Sequence, residues 1–237
     1  MSETFKFKQF SIRQDQCAMK VGSDGVLLGA WASVTHSPGS VLDIGAGTGI
    51  LSLMMAQRCQ ASLIEAIEID VNAYEQCVEN FEQSQWCDRL FCYHASLLEF
   101  AEEVEDQFDS IICNPPFYPE HFKTESSSRN FARFQDAMPF EHLIFAVTQL
   151  LSEKGVFSVI IPITEEEKFL KLTTHFKLYL NKKTIVKGQP SSRPKRLLLE
   201  FSPFEKAIYI DELIVETSRH NYTKEYIALT KNFYLKM

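Results

Sequence analysis

The chain has 237 residues, 45% of them hydrophobic and 23% charged, which fits one large α/β domain with a few additions better than two domains, and excludes a fibrous or disordered chain. No apolar stretch approaches the roughly 20 residues of a membrane-spanning helix, and Met1–Lys8 lacks a signal-peptide core, so a cytoplasmic protein is expected. Thirty-one acids against 24 bases give a net charge of −7, which taken alone argues against nucleic acid, whose binders usually carry a basic footprint; the distribution of charge qualifies this.

Phe5-Lys6-Phe7-Lys8-Gln9-Phe10 alternates as a half-exposed strand does, and a second short strand is expected near Cys17–Val21. A helix should follow from Asp24 through Trp31, with Ser23 or Asp24 as its N-cap. From Ser40 strand and helix alternate, the pattern of a parallel sheet with crossover helices. The expected strands are Val41–Ile44, Leu63–Ile69, Leu90–His94, Phe108–Cys113 and Gly155–Ile161. The helices are Thr48–Arg58, Asn72–Gln83, Leu97–Val104, Glu141–Leu151 and Thr164–His175. The pattern then changes: strands Leu178–Val186 and Arg196–Phe201 flank a basic, turn-rich loop, and a strand at Ile208–Tyr209 and a helix over Lys224–Leu235 close the chain.

Val41-Leu42-Asp43-Ile44-Gly45-Ala46-Gly47-Thr48-Gly49 reads as a strand, a tight glycine turn and a helix start. Glycine permits positive φ and close approach of a ligand to the main chain. A dinucleotide fingerprint would want glycine at position 50, where Ile50 stands. Glu68 closes the next strand, where its carboxylate can accept ribose hydroxyls. GxGxG with a strand-end acid suits S-adenosylmethionine (SAM), a zwitterionic nucleoside without phosphate, better than NAD. Ser96, just after the strand Leu90–His94, is expected to face the SAM adenine, at a place where an aspartate is common.

Asn114-Pro115-Pro116-Phe117 follows the apolar run Phe108–Cys113. A residue before proline is pushed toward extended conformations, and proline has no N–H. The turn therefore offers acceptors and a flat apolar face. Asn114 Oδ1 and the Pro115 carbonyl could take the two hydrogens of a planar –NH₂ group while Phe117 stacks on its conjugated system. The plainer reading is a double-proline loop closing a strand.

The six cysteines, Cys17, Cys59, Cys77, Cys87, Cys92 and Cys113, form no CxxC, and neither they nor the six histidines show metal spacing. Buried thiols in a reducing compartment are expected, with no metal. The segment from Glu65 to Glu105 is rich in acids. Bases gather at Lys6/Lys8/Arg13, at Lys123/Arg129/Arg133, and at Lys182/Lys183/Lys187 with Arg193/Lys195/Arg196.

Asp43–Gly49 together with Asn114–Phe117 resembles the amino-group methyltransferases of the N6-adenine, N4-cytosine and glutamine-N5 types. Met19–Trp31 and the tail residues Asn221-Tyr222-Thr223, Tyr226, Ala228-Leu229-Thr230 and Phe233-Tyr234-Leu235 are similar to the bacterial tRNA1(Val) adenine-N6 methyltransferases, which modify the adenine just 3′ of the anticodon. The resemblance spans nearly the whole chain, including Arg129, Ala132-Arg133-Phe134 and Pro194–Ser202; Ser96 and Phe117 depart from it.

The resemblance implies a Rossmann-like class I SAM-dependent methyltransferase fold, a mostly parallel twisted sheet with an antiparallel C-terminal strand. It implies one domain over 1–237, with an N-terminal extension over 1–35, a catalytic core over 40–203 and a C-terminal strand and helix over 204–237. SAM is the implied cosubstrate and tRNA the implied partner. Asp24 joins Asp43, Gly45, Gly47, Gly49, Glu68 and Ser96 on the cofactor side. Asn114, Pro115 and Phe117 serve the target amine, and Arg129, Arg133, Arg193, Lys195 and Arg196 the RNA. Two alternatives stay open: protein glutamine methylation, and a non-catalytic RNA-binding protein of the same fold.

Overall fold

Short continuous apolar runs separated by helices leave one arrangement for this chain, a sheet covered on both faces. The computed structural model describes residues 4–116 and 138–236. Its strands are β1 (Thr4–Lys6), β2 (Ser11–Arg13), β3 (Ser40–Ile44), β4 (Leu63–Glu68), β5 (Leu90–His94), β6 (Phe108–Cys113) and β7 (Leu151–Pro162). They continue with β8 (Tyr179–Lys187), β9 (Arg196–Ser202), β10 (Tyr209–Ile214), β11 (Glu216–Ser218) and β12 (Asn221–Tyr222). The helices are α1 (Ser23–Trp31), α2 (Ile50–Arg58), α3 (Val71–Glu82), α4 (Leu97–Glu103), α5 (Phe140–Leu150), α6 (Glu166–His175) and α7 (Lys224–Thr230).

Eight strands form the central sheet in the order β10-β8-β9-β7-β6-β3-β4-β5. Only β9 runs against its neighbours; each other adjacent pair is parallel. Because β9 is reversed, it starts at the edge where β6, β3 and β4 end, with Arg196 beside Pro162. The basic loop before β9 therefore sits on the same edge as Asn114.

Successive strand residues face opposite sides. Val41, Ile112, Ile160 and Leu198 point toward a core shared with α1 and α2, while Leu42, Ile111, Val159 and Leu199 point into one shared with α5 and α6. Burial on both faces explains why β3, β6 and β9 read as continuous apolar runs.

The expected strand at Cys17–Val21 is absent; β1 pairs with β2 instead. Side-chain amides hold the segment from 13 to 21. Asn80 Oδ1 accepts from Arg13 N (2.8 Å), and Asn80 Nδ2 donates to Arg13 O (3.0 Å) and Thr48 O (2.9 Å). Gln76 Oε1 accepts from Gln16 N (3.1 Å), and Gln76 Nε2 donates to Asp15 Oδ1 (2.9 Å). These α3 residues satisfy backbone and side-chain groups of the segment, leaving it an irregular strap.

The N-cap of α1 is Gly22, not Ser23 or Asp24. The Asp24 carboxylate turns to Arg196 Nε at 2.8 Å instead. At the C-terminus α7 stops at Thr230, and the chain returns to the N-terminal segment, with Phe7 bridging Tyr234 and Lys8 N donating to Phe233 O at 2.8 Å. The β11–β12 hairpin is not expected from the sequence, because its strands are too short to show alternation. Cys17, Cys59, Cys77 and Cys113 are buried thiols, whereas Cys92 is half-buried and Cys87 is exposed, against expectation.

Candidate active site

The glycine turn sits where β3 meets α2, with φ of 73° at Gly45, 54° at Gly47 and 77° at Gly49. Its amides are already used internally. Gly45 N and Ala46 N both donate to Ile67 O at 3.0 Å, Gly49 N donates to Ala46 O at 2.8 Å, and Gly47 N donates to Glu68 Oε2 at 2.8 Å. A phosphate cradle needs such donors free. The glycines also differ in purpose. A Cβ on Gly47 would meet nothing within 4 Å, whereas one on Gly49 would lie 2.5 Å from Phe81 Cε1 and 2.8 Å from Cys77 Sγ. Gly47 leaves room for a ligand; Gly49 leaves room for α3.

Glu68 ends β4 nearly buried, at 8% exposure. Its Oε1 accepts from Ile69 N (2.8 Å) and Asp70 N (2.9 Å), in addition to the Gly47 amide on Oε2. An ionised carboxylate has about four acceptor positions, so about one remains for a ligand. Asp70 caps α3, accepting from Ala73 N at 2.9 Å, and faces the same cleft.

The strap closes another side with Cys17, Ala18 and Met19, and Ala95, Leu97 and Met138 add apolar surface. Burial, then the charges of Glu68, Asp70 and Asp15, pushes the Cys17 thiol up to about 12, so it stays neutral. Among the described residues the lining carries two carboxylates and no lysine or arginine. That charge pattern repels a pyrophosphate and admits a cationic, phosphate-free nucleoside.

Asn114 and Pro116 line this cleft together with Gly45, Gly47 and Glu68, and Pro115 is buried beside them. Phe117, Lys123, Arg129 and Arg133 lie outside the described residues. Asp43 and Gly49 do not line the cleft. Asp43 is fully buried, and its Oδ2 accepts from Ser52 N (3.1 Å) and Ser52 Oγ (2.8 Å), which fixes the start of α2 against β3. Burial pushes its carboxyl up to about 7.

Ser96 is corrected. It caps α4, accepting from Glu99 N at 3.3 Å, while Ser96 N donates to Glu99 Oε2 at 3.1 Å. A capping box takes one lone pair of its hydroxyl, and its neighbours Ala95 and Leu97 face the cleft. Arg196, expected to be an RNA contact, is held by Asp24, while Arg193 and Lys195 stand exposed on the edge loop. Asp24 does not line the cleft either; it ties α1 to the start of β9.

Sequence reasoning missed Cys17, Met19, Asp70 and Met138. Asp70 was within reach, since Glu68-Ile69-Asp70 places two acids at one strand end. The strap residues carry no periodic signal.

Comparison with known proteins adds to this geometry. Residues 25–161 match the family described as the methyltransferase small domain. The chain is 62% identical over 233 residues to the tRNA1(Val) (adenine(37)-N6)-methyltransferase of Flavobacterium psychrophilum, covering 98% of this chain and 100% of that one. It is equally 62% identical, over 234 residues and the same shares, to the protein of that name from Flavobacterium johnsoniae. A crystal structure described as a predicted O-methyltransferase from Agrobacterium tumefaciens superposes with a TM-score of 0.68 at 18% identity, over 88% of this chain and 96% of that one. At that identity the likeness concerns the fold alone, and it is the fold expected from the strand order.

Proposed function

The chain belongs to the methyltransferase small-domain family and to the tRNA1(Val) (adenine(37)-N6)-methyltransferases, and from that premise we infer that it transfers a methyl group from SAM to the exocyclic N6 of adenine 37 in tRNA1(Val). The observation that carries the reading is spatial: Asn114 and Pro116 face the same cleft as Gly47 and Glu68. A target amine held at the Asn114-Pro115-Pro116 turn lies against a nucleoside held at Gly47 and Glu68.

The cleft fits SAM. Gly47 leaves the main chain open to close approach, Glu68 keeps about one acceptor position for a ribose hydroxyl, and the two carboxylates favour a cation. Ala95, Leu97 and Met138 supply apolar walls for an adenine ring. What bound SAM supplies is a methyl carbon on a sulfonium, transferred in line as the N–C bond forms and the C–S bond breaks.

The chain's own work is positional. The N6 lone pair is delocalised into the ring and is a poor nucleophile. Asn114 Oδ1 and the Pro115 carbonyl accept the two N6 hydrogens and favour electron density on nitrogen as it becomes tetrahedral. The methylated cation then loses a proton to water, so no strong base is required. Holding the three atoms in line is worth on the order of 7–11 kcal/mol in favourable cases. Phe117 stacks on the base, contributing roughly 1–3 kcal/mol. The target base lies in a single-stranded loop, so presenting it requires less unstacking than flipping from a duplex.

We read 1–237 as one methyltransferase domain working in the cytoplasm, where its substrate is. No helix among the described residues is long and apolar enough to cross a membrane. The test is transfer itself. Purified protein, SAM and tRNA lacking the modification should yield N6-methyladenosine by nucleoside mass spectrometry, and Asn114→Ala should abolish it while SAM binding by calorimetry persists. Methylation of a protein glutamine with none on tRNA would overturn the reading.

A further inference from the structure

The tail residues Asn221-Tyr222-Thr223 have no part in the catalytic geometry, yet they build a distinct object. Thr223 caps α7, accepting from Tyr226 N at 3.1 Å, and its Oγ1 donates to Ile214 O at 2.5 Å. Asn221 Nδ2 donates to Ser218 Oγ at 2.8 Å, and Thr217 Oγ1 donates to Asn221 O at 3.1 Å. These bonds shape the β11–β12 hairpin, whose turn carries Arg219 and His220, with His220 at a φ of 65°.

The hairpin leaves the catalytic edge of the sheet. Beyond β10, Val215 N donates to Lys187 O and Glu216 N to Gly188 O, both at 2.9 Å, so the chain runs past the ends of the strands beside the loop that holds Arg193 and Lys195. Along that edge the order is β6, β7, β9, β8, β10. At about 4.8 Å per strand, the loop lies about 10–14 Å and the hairpin about 19 Å from Asn114.

Charge divides this edge. Beyond β4 and β5 the exposed residues on this edge include Glu75 and Glu99, near the starts of α3 and α4. Toward β10 three acids are engaged, Asp24 with Arg196, Glu166 with Lys183, and Glu212 with Lys187, while Glu225 at the start of α7 is exposed. Arg193, Lys195 and Arg219 stand exposed there, and none of them is in an ion pair with a described residue. Tyr222 is 40% exposed, with its ring centroid 5.2 Å from that of buried Tyr226, which backs it as a rigid platform.

We propose that the β11–β12 hairpin is an RNA finger: RNA leaves the active site toward β10, with Arg219 on a phosphate and Tyr222 under an unstacked base. This inference rests on the tRNA reading above and adds a direction to it. It also accounts for how a protein of net charge −7 holds a polyanion. The acids turn the RNA away from one flank and the bases receive it on the other.

The test uses full-length enzyme and unmodified tRNA. Wild-type transfer is measured first; a chain that does not methylate tRNA overturns the functional reading and this inference with it. Given transfer, Arg219→Ala should raise the tRNA KM about three- to tenfold and flatten the salt dependence of binding by about 0.7–0.9. Tyr222→Ala should raise KM about tenfold, and Tyr222→Phe should restore it because the stacking face returns. SAM affinity by calorimetry should stay within twofold of wild type in each. Unchanged KM and salt slope in both alanine variants, with tRNA still methylated, would overturn the finger alone. Should Tyr222→Ala lower Tm enough to obscure binding, Arg219→Ala and Arg219→Glu decide it, the second raising KM further.

Discussion

Gly47 donates its amide to Glu68 Oε2 at 2.8 Å, so the tip of the glycine turn hangs on the acid that closes the neighbouring strand. Cofactor recognition and the shape of the loop share one carboxylate. Glu68→Ala should therefore weaken SAM binding beyond the loss of one ribose contact, by at least tenfold in Kd, since hydrogen bonds to a charged acceptor are worth about 1.5–3 kcal/mol each. Glu68→Gln keeps one acceptor oxygen and should fall between alanine and wild type. Calorimetric titration with SAM decides it; equal affinities for all three proteins would remove Glu68 from the site.

The two glycines two residues apart should fail in different ways. Gly49→Ala forces a Cβ into Phe81 and Cys77 at positive φ and should destabilise the fold by about 2–5 kcal/mol. Gly47→Ala adds a methyl to open space in the cleft, costing only about 1–2 kcal/mol of backbone strain while raising the SAM Kd. Thermal melts alongside SAM titrations distinguish them, and a Gly47→Ala protein with wild-type SAM affinity would contradict the assignment.

Arg196 and Lys195 are adjacent but should separate cleanly. Arg196 is paired with Asp24, each side chain about a third exposed, so Arg196→Ala should lower stability by about 0.5–1 kcal/mol. Arg193→Ala with Lys195→Ala should leave Tm unchanged, raise the tRNA KM and flatten the salt slope by about one to two units. If the double variant binds tRNA as wild type does at every salt concentration, the loop is solvated surface.

Asp43 makes stability depend on pH in an unusual direction. Its carboxyl is raised by burial from 3.8 to about 7 in the folded chain, so between those values the native state holds a proton that the unfolded state has released. Stability from this group is therefore greatest below about pH 4 and is lost as pH rises to about 7, at up to about 1.4 kcal/mol per pH unit, levelling off above that. Asp43→Asn removes the titration. Denaturant unfolding from pH 5 to 8 should show wild type losing ground to the variant until about pH 7; parallel curves would mean Asp43 does not titrate in this range.

Much of the core could be read from the sequence, because short apolar runs and the glycine and proline punctuation report local geometry. β5 and β6 fall at their expected limits, and Asn114 falls at the tip of β6 as Asn-Pro-Pro demands. Glu68 and Gly47 were nameable for the same reason: a strand end and a positive-φ turn are properties of a few neighbouring residues.

Partner choice was not legible. Asp24 had its pick of bases, and only folding brought Arg196, 172 residues away, against it. Ser96 could have been read only as a ligand contact; that it caps α4, with Glu99 three residues on, depends on where the helix starts. The strap from 13 to 21 shows no alternation because its bonds run to Gln76 and Asn80 of α3 rather than to a strand. Sequence pattern tells which way a residue faces within its own element; what it meets there depends on how distant elements are packed, and that belongs to the tertiary structure.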